Sequence, residues 1–178
     1  TIVPQFLTEL DGVESLDNVM VIGASNRVDM IDPAVLRAGR LDVKIRVDRP
    51  SAESAVAIVR HYLTDDLPLR QGMDASALAA VLVRDIMARS ARRELAQVRD
   101  TNGRWRGLFL ADVVSGASLK NIVDRAKTRA VKASIETGGQ VALDADLLAA
   151  AVDDEFRETR DALLDADPEQ WSRVNGFE

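Results

Sequence analysis

The sequence predicts an α/β element followed by a mainly α-helical part that one β-hairpin interrupts. Three observations carry this. Residues 18–25 (Asn-Val-Met-Val-Ile-Gly-Ala-Ser) are short, β-branched and nearly all apolar, as in a central strand of a parallel sheet covered on both faces. From Ser51 onward apolar residues recur at helical spacing in four stretches. Between the second and third stretches, Asn102-Gly103 separates two short runs, and Asn-Gly tolerates the positive φ angles of a tight hairpin turn.

The elements follow in order. Ile2, Val3, Phe6, Leu7 and Leu10 form a helical stripe that Asp11-Gly12 ends, with Pro4 tolerated only in the first turn. After the apolar strand, Asp32-Pro33 reads as a helix start, with Asp as N-cap and Pro at the first helical position. Gly39 breaks that helix. Val43, Ile45 and Val47 alternate with Lys44 and Arg46 as a second strand. Pro50-Ser51 marks a boundary. Ser51 caps a helix over 52–63 with Val56, Ile58, Val59, Tyr62 and Leu63 on its stripe, and Leu67-Pro68 ends it. A second helix runs over 74–93 with Leu78, Val81, Leu82 and Ile86 inside. The hairpin pairs 95–99 with 104–110, and Trp105, Leu108 and Leu110 are expected to pack it on the helices, since a lone ribbon is marginal. Ser115 caps a long helix to Glu136, with Leu119, Ile122, Val123, Ala126, Ala130 and Ile135 inside, and Gly138-Gly139 stops it. Asp144 caps a last helix bearing Leu147, Leu148, Ala151, Val152 and Phe156. Asp167-Pro168 then turns the chain into a short segment with Trp171. One parallel strand cannot make a sheet, so the chain reads as a piece of a longer protein, cut inside an α/β domain.

Composition narrows the function classes. Hydrophobic residues make up 47% of the 178, enough for a sizeable core. No stretch is long and apolar enough to span a bilayer, and no secretory leader is visible at the start. Cysteine is absent and His61 is the single histidine, which excludes disulfides, thiolate metal sites and His-rich metal sites. The net charge of −6 argues against nucleic acid or an anionic membrane as the main partner.

Residues 26–42 carry the chemistry. Asn26 stands at the exit of the apolar strand, where open α/β sheets bind ligands. Its amide can donate to a phosphate oxygen and accept from an attacking water. Arg37 and Arg40 lie just beyond the short helix, placed to reach a neighbouring subunit. The plain alternative is that both pair with local carboxylates, Asp29, Asp32 or Asp42. Asp153-Asp154-Glu155 is acidic but falls on a helix and reads as a solvated face.

The run 26–42 closely resembles the second region of homology of AAA ATPases, and the helical part resembles the lid that follows their α/β core. Pro-Gln-Phe-Leu-Thr-Glu-Leu-Asp-Gly from Pro4, Ser115-Gly116-Ala117, residues 121–127 and the hairpin around Asn102-Gly103 look most like the proteasome-associated ATPases of actinobacteria. The resemblance implies the C-terminal part of an AAA P-loop core over 1–50, a lid over 51–164 with a hairpin at about 94–110, and a C-terminal segment over 165–178. Asn26 then matches sensor 1, and Arg37 and Arg40 match arginine fingers. Gly116 and Ala117 match the turn against adenine and ribose, and Tyr62, with His61 as its rival, falls near an adenine-contacting position.

The family implies a cytoplasmic homohexameric ring that uses ATP with Mg2+ to unfold tagged, pupylated proteins and thread them into the 20S proteasome core. The other readings are the same region of a different AAA protease or segregase, and a non-catalytic AAA-lid interaction module. No G-x-x-x-x-G-K-[ST] loop occurs in the sequence, and no apolar strand ends in an Asp-Glu pair. This chain by itself is therefore expected to lack ATP turnover, and the Mg2+ and phosphate ligands are expected outside it.

Overall fold

The computed structural model describes Gln5, Thr8, residues 20–99 and residues 103–165. The chain divides into two compact units, Thr1–Val47 with Ser172–Glu178, and Asp48–Trp171.

In the first unit Gln5 and Thr8 are helical, and the remainder of the expected first helix lies outside the described residues. Residues 20–25 and 43–47 form no ladder, contrary to the two strands expected there. A strand needs backbone partners on a neighbour, and none of the described residues pairs with either segment. Their apolar side chains consequently face water, with Ile22 82% and Ile45 83% exposed. Asp32 caps as expected, its Oδ1 accepting from the Ala34 N–H at 2.8 Å. A pair of tight turns succeeds it in place of a helix: Val35 N–H donates to Asp32 O at 2.9 Å and Leu36 N–H to Pro33 O at 3.2 Å. Gly39, at φ 85°, folds the chain back before an i→i−4 ladder can start.

The second unit is built on four helices: α1 (Ala52–Tyr62), α2 (Ala75–Ile86), α4 (Gly116–Thr137) and α5 (Ala145–Asp165), with one-turn α3 (Leu110–Val113) ahead of α4. Each long helix begins at a residue whose side-chain oxygen takes up an orphan N–H. Ser51 accepts from Ser54 at 3.2 Å, Asp74 from Ala77 at 2.6 Å, Ser115 from Ser118 at 3.2 Å, and Asp144 from Leu147 at 3.0 Å. Helix α1 packs on α2 and α4, and α5 packs on α4 and α2, which closes the four into a ring around one core. Val59 and Leu63, Leu78, Leu82 and Ile86, Leu119, Ile122 and Val123, and Leu148 and Val152 fill it. The loops join too. Leu143 N–H donates to Pro68 O at 2.7 Å and Arg70 N–H to Leu143 O at 2.9 Å, an isolated parallel bridge.

Helix α2 ends at Ile86, not at Arg93. Arg93 reaches back to Asp85, which a continuous helix would hold about 12 Å away along its axis; its Nε–H donates to Asp85 Oδ1 at 3.0 Å. The core face of α2 runs through Leu78, Leu82, Val83 and Ile86, and Val81 falls off that stripe to become 37% exposed. Ile135 is likewise outside the core, 76% exposed. With Val131, Leu67, Pro68 and Val141 it lines an open apolar cavity of about 670 Å³ beside the last turns of α4.

The hairpin pairs β1 (Glu94–Arg99) with β2 (Trp105–Phe109) in antiparallel register, Ala96 opposite Leu108 and Arg99 opposite Trp105, with a bulge between Glu94 and Ala96. Leu110 belongs to α3, so β2 is shorter than expected. Leu95, Leu108 and Leu110 are buried as anchors. Trp105 is not: it stands 66% exposed on the face opposite to Leu108. Side chains alternate along a strand, so the residues that bury Leu108 leave Trp105 outside.

Candidate functional site

The candidate residues fall in both units. In the first, Asn26 and Arg37 are exposed. Arg40 is half-buried, and its Nη1–H donates to the Ala34 carbonyl at 2.5 Å, which ties the turn after Asp32 to the residues after Gly39. Each of the carboxylates considered as partners for these arginines accepts from at least one other donor. Asp29 takes Arg27 in two bonds, at 2.9 and 2.7 Å, Asp32 takes Ala34 N–H, and Asp42 takes Gly39 N–H at 3.4 Å.

In the second unit the structure brings Tyr62 and Gly116 onto one seam between α1 and α4. A Cβ on Gly116 would meet only the Ile58 Cδ1, at 3.9 Å. One turn further along each helix, Lys120 Nζ lies 5.8 Å from the centroid of the Tyr62 ring. Lys127 Nζ closes the seam by donating to Tyr62 O at 2.7 Å. Ala117, exposed, sits beside Gly116 in the first turn of α4. His61 is exposed and meets Tyr62 edge-on, ring centroids 5.1 Å apart. Lys120 has its pKa raised by the hydrogen bond and charge of Asp124, 2.5 Å away. The order of residues at 26–42 pointed to Asn26 and the arginines; Lys120 was missed, because its nearness to Tyr62 depends on how α1 and α4 pack.

Two buried charged groups were also missed. The run Asp153-Asp154-Glu155 is not a solvated face. Asp153 pairs with Arg92 at 2.9 Å and Arg93 at 2.6 Å, Asp154 pairs with Arg129 and Arg157, and Glu155 is only 8% exposed. Helix α5 lies between α2 and α4, so most of its partner arginines come from other elements. Glu155 contacts Ser118, in the turn that carries Gly116 and Ala117; burial pushes its carboxyl pKa up, against the Ser118 hydrogen bond and the Arg125 charge. A raised folded-state pKa in an acid means that stability falls as pH rises through that pKa. Glu155→Gln is therefore expected to raise the neutral-pH Tm by about 2–4 °C, on the order of 1 kcal/mol. The gain should vanish in acid, where the wild-type carboxyl is itself protonated. Melting curves across the acidic range check this, and a Tm lowered at every pH would show that the charge stabilises.

An apolar run followed by a capped four-helix lid with a hairpin is the arrangement of an AAA-type module. A family model for the ATPase family associated with various cellular activities (AAA) matches residues 1–49, and one for the ARC, AAA+ ATPase lid domain matches residues 50–178. The chain belongs to the AAA ATPases and carries an ARC-type lid. It is 75% identical over 178 residues to an "AAA ATPase forming ring-shaped complexes" of Bifidobacterium longum subsp. infantis, covering 100% of this chain and 34% of that protein. Proteins of the same description match from Bifidobacterium adolescentis, 72% identical over 100% of this chain and 35% of the relative, and Bifidobacterium animalis subsp. lactis, 61% identical over 99% and 35%. The chain thus spans about a third of the length of the curated relatives it matches. Among the described residues no helix is long and apolar enough to cross a membrane.

Proposed function

We propose that this chain is the C-terminal part of the ATP-hydrolysing module of a homohexameric AAA ring, one that unfolds tagged, pupylated proteins in the cytoplasm and threads them into a 20S proteasome core. Neither nucleic acid nor membrane takes part in this reading. Residues 1–50 form the end of the α/β core, 51–164 the lid and 165–178 a C-terminal segment; the two matched ranges meet at residue 50 and support the first boundary, while the lid match runs on through residue 178. The name of the Bifidobacterium relatives supports the ring.

The observation that carries the proposal is the seam on which Gly116 and Tyr62 lie a turn apart, in a chain that also presents Asn26, Arg37 and Arg40 in sensor-and-finger order. The seam fits the base end of ATP. It has a bare backbone at Gly116, an apolar wall at Ile58, the Tyr62 ring and a cation at Lys120. In this reading Mg2+ would be held by residues outside this chain. When bound, the nucleotide supplies the phosphoryl bond that is broken. Asn26 orients the attacking water through its amide. Arg37 and Arg40 reach across to the neighbouring subunit's site and stabilise charge there. Gly116, Ala117 and Tyr62 hold the base end.

Gly116→Ala in the full-length protein tests the seam. Inside the lid a methyl fits, because its nearest neighbour is 3.9 Å away. The melting temperature is therefore expected to hold while nucleotide affinity falls roughly tenfold, since a bare backbone is needed only for a ligand's close approach. Unchanged affinity would sink the adenine-turn assignment. ATP-dependent degradation of a pupylated reporter by the same preparation with 20S core particles checks the proteasomal part, and a ring that hydrolyses ATP without degrading the reporter would refute it.

A further inference from the structure

The outer face of the hairpin carries a stripe on which guanidinium groups and aromatic rings alternate. Arg99 stands directly opposite Trp105 in the ladder, its Cζ 5.6 Å from the indole centroid. Gly107 and Phe109 share that face, because side chains alternate along β2. A Cβ on Gly107 would come within 2.9 Å of the Phe109 ring, so the ring lies over bare backbone there. Arg89 Cζ in turn lies 5.3 Å from the Phe109 centroid, and Arg89 is held by Asp112 at 2.5 Å.

The packing of the lid uses the Phe109 end of this stripe, where Asp112 accepts from both Arg89 and the Phe109 N–H, but not its Trp105 end. Leu95, Leu108 and Leu110 already anchor the hairpin, while Trp105 is left 66% exposed. Leaving a large apolar side chain in water forgoes the gain of burying it. The charge is also out of keeping with the chain. Arg89, Arg92 and Arg93 are already paired with Asp112, Asp153 and Asp85, but residues 99–106 hold three further arginines against one carboxylate, in a protein of net charge −6. Among the described residues the sheet has only two strands, and no third strand pairs with either. The platform is rigid at its root, where Arg93 at the start of β1 is bonded to Asp85 on α2 and Asp153 on α5.

We infer that this face is a docking surface for an extended, carboxylate-rich peptide segment of another protein. An extended peptide repeats every two residues, about 6.6–6.8 Å, so carboxylates on one side can meet Arg99 and its neighbours while intervening apolar groups rest on Trp105 and Phe109. Rings that already carry a guanidinium give such a segment both charge and apolar area. The fixed root removes ordering costs from binding.

The test is fluorescence anisotropy with a short labelled peptide alternating glutamate with leucine and threonine, titrated with the full chain. A peptide with lysine in place of glutamate and a single-stranded oligonucleotide of equal charge serve as comparisons. Saturable binding of the glutamate peptide alone is expected, weakening as salt shortens the screening length. Trp105→Ala and Arg99→Ala are each expected to weaken it roughly tenfold and to keep the wild-type melting temperature, since both side chains are exposed. No saturable binding, tighter binding of the oligonucleotide, or full affinity in both variants at intact melting temperature would overturn the inference.

Discussion

Arg37→Ala in the full-length ring is expected to lower ATP turnover roughly 10³- to 10⁵-fold while nucleotide affinity stays near that of the wild type. A finger acts on charge that develops in the transition state, so its loss appears in turnover rather than in ground-state binding. Lysine should not rescue it, because a point charge lacks the planar fork. Arg37 gives the cleaner experiment of the two arginines. It is exposed, whereas Arg40 also ties its own turn to the Ala34 carbonyl, and Arg40→Ala would loosen that turn as well as remove a charge. Rings mixed from an Arg37→Ala subunit and a subunit unable to bind nucleotide should regain part of the activity, since an intact finger then faces an intact site. Full turnover in both single arginine variants would leave only a structural role for the pair.

Arg93→Ala is expected to cost about 3–5 kcal/mol of stability, which urea or thermal unfolding of the chain would read directly. Arg93 is 1% exposed, forks onto Asp85 at 3.0 and 2.5 Å, reaches Asp153 at 2.6 Å, and lies 6.0 Å from the Phe156 ring. Lysine should recover little, because one ammonium cannot bridge carboxylates on two helices with the same geometry. Acid should shrink the deficit. Burial raises the Asp153 pKa, but the bonds from Arg93 and Arg92 outweigh it and hold the carboxyl below its usual range. Stability from a depressed acid is present above the unfolded pKa and is lost as pH falls through the folded one. The wild type should therefore approach the variant in strong acid. A loss under about 1 kcal/mol would mean that the cluster behaves as an exposed ion pair despite its burial.

Legibility followed the range of the forces. Ser51, Ser115 and Asp144 were readable as caps because a cap is a bond between residues two or three apart. The hairpin was readable from Asn102-Gly103 and its flanking runs, though Asn102 itself lies outside the described residues. What failed was burial. Val81, Trp105 and Ile135 have core-like side chains, yet each is left exposed, and periodicity cannot tell which face will be covered. The reverse error fell on Asp153, Asp154 and Glu155, whose arginine partners come mostly from outside α5. Residues 20–25 have the pattern of a strand and, among the described residues, no partner to express it. At the candidate site, Asn26, Arg37 and Arg40 were legible as an ordered run, Gly116 and Tyr62 only through resemblance, and Lys120 not at all.

The bridge between the two loops sets an order of events during synthesis. Pro68, Leu69 and Arg70 can complete their bonds only with Leu143, and Arg70 meets Asp144 across 74 positions of chain. Helices α1 and α2 are made early and can pair at once, but the ring of four helices stays open until the residues after Gly138 have emerged. Closing so long a loop delays the contacts that reward it. A nascent lid stalled before Leu143 would expose Val59, Leu63 and Leu82 to whatever waits at the ribosome exit.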